Sequence, residues 1–110
     1  MEQGTAPMQG VSILLDIVRK DSTNADAQFM LGKFGMVSGQ FDKAIARLEK
    51  VIYLRPRSTD ALFLLAMAYQ NQGDKNKALE LLEKCVKMEQ NPELKKEIEG
   101  YIQNLKTGKQ

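Results

Sequence analysis

Few groups in this chain are able to do acid–base or covalent chemistry. The sequence has no histidine and a single thiol, Cys85. A histidine general base, the commonest metal ligand, an intramolecular disulfide and every Cys-His or Ser-His-Asp constellation are therefore excluded. What remains is Cys85, the recurrent carboxylates Asp26 and Asp60, and the pairs Glu49-Lys50, Glu80-Lys84 and Glu83-Lys87. Cys85 follows Leu82 by three residues on an apolar helical face, the setting of a small buried hydrophobe rather than of a nucleophile. Asp26 and Asp60 each stand near the start of a helical stretch, where the helix dipole favours a carboxylate. The Lys/Glu pairs have the spacing of surface ion pairs or solvated faces, worth a few tenths of a kcal/mol each. No phosphate loop, metal-ligand spacing or carboxylate pair in an apolar setting occurs, so neither an enzyme nor a cofactor or metal is expected.

The elements that must position these residues are bounded first by composition. At 43% hydrophobic and 27% charged, 110 residues make one ordinary globular domain, and the formal net charge of +2 is too small to draw the chain to a polyanion. Lysines are interleaved with glutamates and no aromatic-plus-basic cluster is present, which argues against nucleic-acid binding. No apolar run approaches the ~18 residues of a membrane span, so no direct membrane contact is expected. Residues 1–9 read as a flexible linker or arm and residues 106–110 as a polar tail. No basic start leads into an apolar stretch, so a signal peptide is not seen and localisation stays open between cytoplasm and periplasm. A linker-like start also fits an excised part of a longer, membrane-anchored protein.

Between those ends the chain repeats itself. A shift of 34 residues lays Asp26 on Asp60, Ala27 on Ala61, Phe29 on Phe63, Leu31 on Leu65 and Gly39 on Gly73. It continues with Lys43 on Lys77, Ala44 on Ala78, Leu48 on Leu82 and Glu49-Lys50 on Glu83-Lys84. One period earlier, Gly10, Val11, Leu14, Ile17 and Val18 fall under Ala44, Ile45, Leu48, Val51 and Ile52. A period of this length with helical spacing inside it describes stacked helical hairpins. Ala44 and Ala78, with Gly10, are small where helices must approach closely, and Leu48 and Leu82 follow four residues on, on the same face. Gly39 and Gly73 supply the positive φ that ends a helix cheaply. Thr23-Asn24, Ser58-Thr59 and Asn91-Pro92-Glu93 offer caps, and Pro56 stops the helix before it. Six helices are predicted, at 8–20, 25–38, 41–54, 59–72, 75–89 and 92–105. In the last, Leu94, Ile98, Tyr101, Ile102 and Leu105 form one apolar stripe, as a capping helix requires.

The pattern resembles the tetratricopeptide-repeat family. Its Leu-Gly pair is matched by Leu31-Gly32, its inter-helix turn by Ser38-Gly39-Gln40-Phe41, and its small crossing residue, large contact and closing proline by Ala44, Leu48 and Pro56. Leu65-Ala66, Tyr69, Gln72-Gly73-Asp74, Ala78 and Leu82 match it again. Gln28 and Leu62 stand where the family prefers Trp, Gly35 where it prefers Tyr, and Pro92 comes two residues late. The resemblance implies an all-α, right-handed solenoid of helical hairpins. Its parts are a half repeat over residues 10–24, full repeats over 25–58 and 59–92, and a capping helix over 93–105.

The resemblance further implies a concave groove lined by the first helix of each repeat, there to take a protein or peptide partner. The matching positions are Asp26, Phe29, Lys33, Met36 and Val37, then Asp60, Phe63, Met67, Gln70 and Asn71. Family members that grip a terminal carboxylate do so with a Lys and Asn ladder, whereas Phe29, Lys33, Phe63 and Met67 occupy the equivalent places here. An extended or helical apolar segment suits such a Met-bearing surface better, which makes the chain a scaffold or adaptor. Recurrence of Phe29 and Phe63 is equally consistent with packing between adjacent helices. A different reading places the interface at the first helix, whose Ile13, Leu14, Ile17 and Val18 would be half covered and would join two copies as a homodimer.

Overall fold

The computed structural model describes residues 5–108. Among them are six α-helices and no strand: α1 Thr5–Lys20, α2 Ala25–Val37, α3 Phe41–Leu54, α4 Thr59–Asn71, α5 Lys75–Met88 and α6 Pro92–Thr107. They form two compact units, Met1–Pro56 and Arg57–Gln110.

Local chemistry sets the helix boundaries. The side chains of Asn24, Ser58 and Asp74 accept from the backbone N–H groups of Ala27, Ala61 and Lys77, and Asn91 accepts from both Glu93 and Leu94. Each satisfies a donor that the first helical turn leaves free. Gly39 and Gly73 adopt φ of 77° and 86°. Past Gly39, the Gln40 N–H donates to the Gly35 carbonyl at 2.8 Å and the Gly39 N–H to that of Met36 at 3.3 Å. Past Gly73, Asp74 donates to Tyr69 and Gly73 to Gln70, both at 2.9 Å. This is the Schellman closure, which only a left-handed residue makes without strain.

The two ends depart from expectation. α1 begins at Thr5, so the helix takes in residues 5–9, which the sequence reading gave to an arm; Pro7 falls in its first turn, where no intrahelical donor is required. Residues 1–4 of that segment, and 109–110 of the expected tail, lie outside the described residues. α6 runs two residues past its predicted end, because Gly108 at φ 78° supplies the left-handed cap and the Thr107 hydroxyl donates to the Gln103 carbonyl at 3.0 Å.

In the first unit α1 lays Val11, Leu14, Leu15 and Ile17 around buried Val18, Ala27 and Leu31. α2 and α3 then meet through small residues. A Cβ placed on Gly35 would stand 3.0 Å from the Cβ of Ala44, and one on Gly32 would stand 2.9 Å from the Leu48 side chain. Among the described residues the expected close approach at Gly10 is not made, since a Cβ there would find nothing of them within 4 Å. Gly32 and Gly35 fill that role, because it is α2 against α3 that closes to contact distance.

In the second unit α4 contributes Ala61, Leu62, Leu65, Ala66 and Ala68 to the core, and α5 adds Ala78, Leu81, Leu82 and Cys85. Burial of Leu62 in full agrees with its occupying the place of a large apolar residue. Of the stripe on α6, Ile98, Ile102 and Leu105 are buried, whereas Leu94 and Tyr101 remain about two-fifths exposed, at 42% and 43%. The glutamates on α5 take partners other than the expected Lys84 and Lys87: Glu80 meets Lys77, three residues away on the same helix, at 3.9 Å, and Glu83 meets Lys106 of α6 at 3.5 Å.

Candidate functional site

The predicted groove positions fall on one face of α2 and one face of α4, at helical spacings of three and four residues. On α2, Asp26 is exposed and its Oδ1 accepts from Arg55 Nη1 at 2.9 Å. That contact ties the residue after α3 to the first turn of α2, and being open to solvent it adds little to stability. Phe29 is half-buried, and the Lys33 ammonium lies 5.6 Å from its ring centroid, within cation–π range. Met36 is half-buried, and Val37 is 87% exposed.

On α4, Asp60 is exposed at the helix start, and Phe63, Met67 and Gln70 are half-buried. Phe63 packs edge to face on Tyr101 of α6 with ring centroids 5.2 Å apart. Exposed Asn71 donates from Nδ2 to the Met67 carbonyl at 2.9 Å, so its amide is turned onto its own helix.

The residues considered for self-association sit differently. Val18 is buried, Leu14 and Ile17 are half-buried against Ala27 and Leu31, and Ile13 is 62% exposed. Most of that stripe is thus committed within the first unit, and Ile13 is its outward member.

Cys85 is fully buried and its thiol donates to the Thr59 carbonyl at 3.4 Å. Burial pushes its pKa up to about 11, with the charges of Glu89 and Asp60 adding to the shift. Such a thiol stays protonated and inert at neutral pH. Asp21, in the turn before α2, is held below the usual carboxylate range by the hydroxyl and then the backbone N–H of Thr23. Among the described residues no group of three or more His, Cys, Asp and Glu side chains is placed to hold a metal ion, and no helix is long and apolar enough to cross a membrane.

Sequence reasoning missed the pairing of Gln28 with Arg47. Gln28 is buried; its Nε2 donates to the Ser22 carbonyl at 3.0 Å and its Oε1 accepts from Arg47 Nη1 at 3.2 Å. The signal was a polar residue inside an otherwise apolar stripe, since a buried amide requires partners for both ends. Tyr101 was read as packing surface, and its role as the partner of Phe63 needed the position of α6 relative to α4.

Comparison with known proteins agrees with this geometry. Residues 36–96 match the tetratricopeptide repeat. A peroxisomal targeting signal receptor from Candida albicans is 29% identical over 86 residues, which is 78% of this chain and 14% of that protein. The chain therefore spans a small part of the curated relative it matches. The type III secretion translocator chaperone SycD of Yersinia enterocolitica has a similar fold, with TM-score 0.87 at 16% identity over 96% of this chain and 76% of that one. MamA is similar with TM-score 0.71 at 24% identity over 86% of this chain and 64% of its own. The 34-residue period, the glycine-closed hairpins and the match over residues 36–96 lead to one conclusion: the chain belongs to the tetratricopeptide-repeat family.

Proposed function

We propose that this chain binds an extended or helical apolar segment of a partner protein through the first helix of each repeat, α2 in one unit and α4 in the other. Protein–protein interaction is the general role of this type of helical repeat. The finer reading rests on one observation. Phe29 and Phe63, 34 residues apart, both remain half-buried, so each unit keeps part of an aromatic ring at its face. Met36 and Met67 beside them are half-buried too, and flexible thioether side chains repack around varied apolar ligands. Lys33 is the one ammonium among the ten positions, which suits an apolar ligand better than a paired carboxylate. A relative named as the receptor for a targeting signal is in keeping with this role. No catalysis is assigned to the chain; it acts as a scaffold or adaptor.

Selection from a random peptide library tests the reading. The expected result is enrichment of sequences with regularly spaced apolar residues, whose binding is weakened about tenfold or more in Phe63→Ser/Met67→Ser protein. Enrichment only of sequences that bind this variant as well as the original protein would overturn it. Self-association through α1 is the second reading, and exposed Ile13 is what favours it. Its signature is a solution mass that rises with concentration and falls back in Ile13→Lys protein.

A further inference from the structure

We propose that a cleft between α1, α2 and α3 of the first unit is a second docking site, shaped for an acidic amphipathic helical segment of a partner protein. The cleft has a volume of about 900 Å³. Its apolar surface comes from Val11 and Leu15 of α1 and Leu31 and Phe34 of α2, and all but Leu31 are only half-buried. Its remaining wall is α3, which presents Lys43, Arg47 and Lys50. Those positions are four and then three residues apart, so the three cations stand in one row along the helix.

The charge of this row is not cancelled inside the cleft. No acidic residue is among the described residues that line it, and the α3 carboxylates Asp42 and Glu49 are not part of the lining. Arg47 is half-buried and its Nη1 donates to the side-chain Oε1 of Gln28 at 3.2 Å, which fixes the middle cation in place. Lys43 is exposed, and the Lys50 ammonium lies 5.7 Å from the ring centroid of Tyr53, itself 79% exposed.

The repeat register explains why the cleft exists. In the second unit Tyr69 lies with the Lys77 ammonium 5.9 Å from its ring centroid. One period earlier the same places hold Gly35 and Lys43. Gly35 lies against Ala44 and carries no ring beside Lys43, and both line the cleft.

Charge complementarity selects the occupant. From Lys43 to Lys50 the row extends roughly 10 Å, about two helical turns. A single carboxylate, as on a fatty acid, would use one of the three cations. Carboxylates one turn apart on a helix match all three, while an apolar stripe beside them meets Val11, Leu15 and Phe34. This site is separate from the α2 and α4 faces proposed above, and each reading stands or falls without the other.

The test titrates two synthetic amphipathic helical peptides with the same leucine stripe, one flanked by glutamates and one by lysines, into the whole chain, with fluorescence anisotropy as readout. The glutamate peptide should bind more tightly than the lysine peptide, and the difference should shrink as salt is raised. Lys43→Glu/Lys50→Glu should lower affinity about tenfold or more. Ala46→Trp, at an exposed position on the lining, should block entry without removing any charge. Both variants keep the buried contacts of α3, so circular dichroism and the unfolding midpoint should stay as in the original protein. Phe63→Ser/Met67→Ser should leave the difference between the two peptides unchanged. Equal binding of the two peptides, or affinity insensitive to both cleft variants, would overturn the proposal. So would a dimer abolished by Ala46→Trp, which would make the occupant a second copy, or binding of phosphatidylserine vesicles without binding of the peptide.

Discussion

The ring of Phe63 in α4 meets that of Tyr101 in α6 at an interplanar angle of 72°, with centroids 5.2 Å apart. The contact joins a proposed binding residue to the last helix and leaves Phe63 half-buried. Edge-to-face pairs contribute about 1 kcal/mol beyond the area they bury. A double-mutant cycle with Phe63→Leu and Tyr101→Leu, read by urea unfolding, should give a coupling of that size. Additive effects of the two substitutions would mean that the rings touch without stabilising α6.

Gln28 presents a different balance, because its amide is buried and serves two partners, Ser22 and Arg47. Gln28→Ala strands the Ser22 carbonyl and leaves a void, and should cost about 2 kcal/mol in unfolding free energy. Arg47→Ala leaves the buried Gln28 Oε1 without its donor and should cost a comparable amount. A change below about 0.5 kcal/mol for either substitution in chemical denaturation would contradict this assignment.

The crossing of α2 and α3 has no spare room at Ala44, which is fully buried and faces Gly35. Ala44→Leu forces the helices apart and should destabilise by about 1–3 kcal/mol. Ala46→Leu, two residues on at an exposed position, should change stability by less than about 0.5 kcal/mol. Thermal unfolding of the two variants side by side distinguishes a packed crossing from a loose one.

Cys85 makes stability depend on pH at the alkaline end. Its folded pKa of about 11 lies above the ordinary 9.0, so between those values the unfolded chain releases the thiol proton while the folded chain retains it. The contribution is complete below pH 9.0 and is lost as pH rises toward about 11. It amounts to something on the order of 2 kcal/mol. Cys85→Val protein, which takes the residue found one period earlier at Val51, should lose correspondingly less stability over that window. Native protein at neutral pH should also resist a thiol-specific disulfide reagent and react once unfolded.

Where each helix begins and ends was legible in the sequence because single residues decide it. Asn24, Ser58 and Asn91 cap, Gly39 and Gly73 turn, and Pro56 stops, all through contacts within a few residues of themselves. α2 to α5 accordingly lie within one residue of their predicted ends. Features that depend on how one helix meets another were not legible in the same way. Gly35 read as a departure from a preferred tyrosine, and its closeness to Ala44 appears only once α2 is laid on α3. Gly10 shares the register of Ala44, but among the described residues it has no neighbour within 4 Å of a Cβ placed on it, so register alone assigned it a contact not made there. The row Lys43, Arg47, Lys50 was not singled out in the sequence, because its meaning comes from the cleft it borders.

The most direct test of partner binding through α2 and α4 is methyl NMR of the whole chain, with its methionines labelled, during titration with a peptide selected from a random library. The methyl resonances of Met36 and Met67, on the two proposed faces, should each shift along a saturating curve, while that of Met88, at the end of α5, stays in place. Failure of every tightly binding selected peptide to move either resonance would contradict the account.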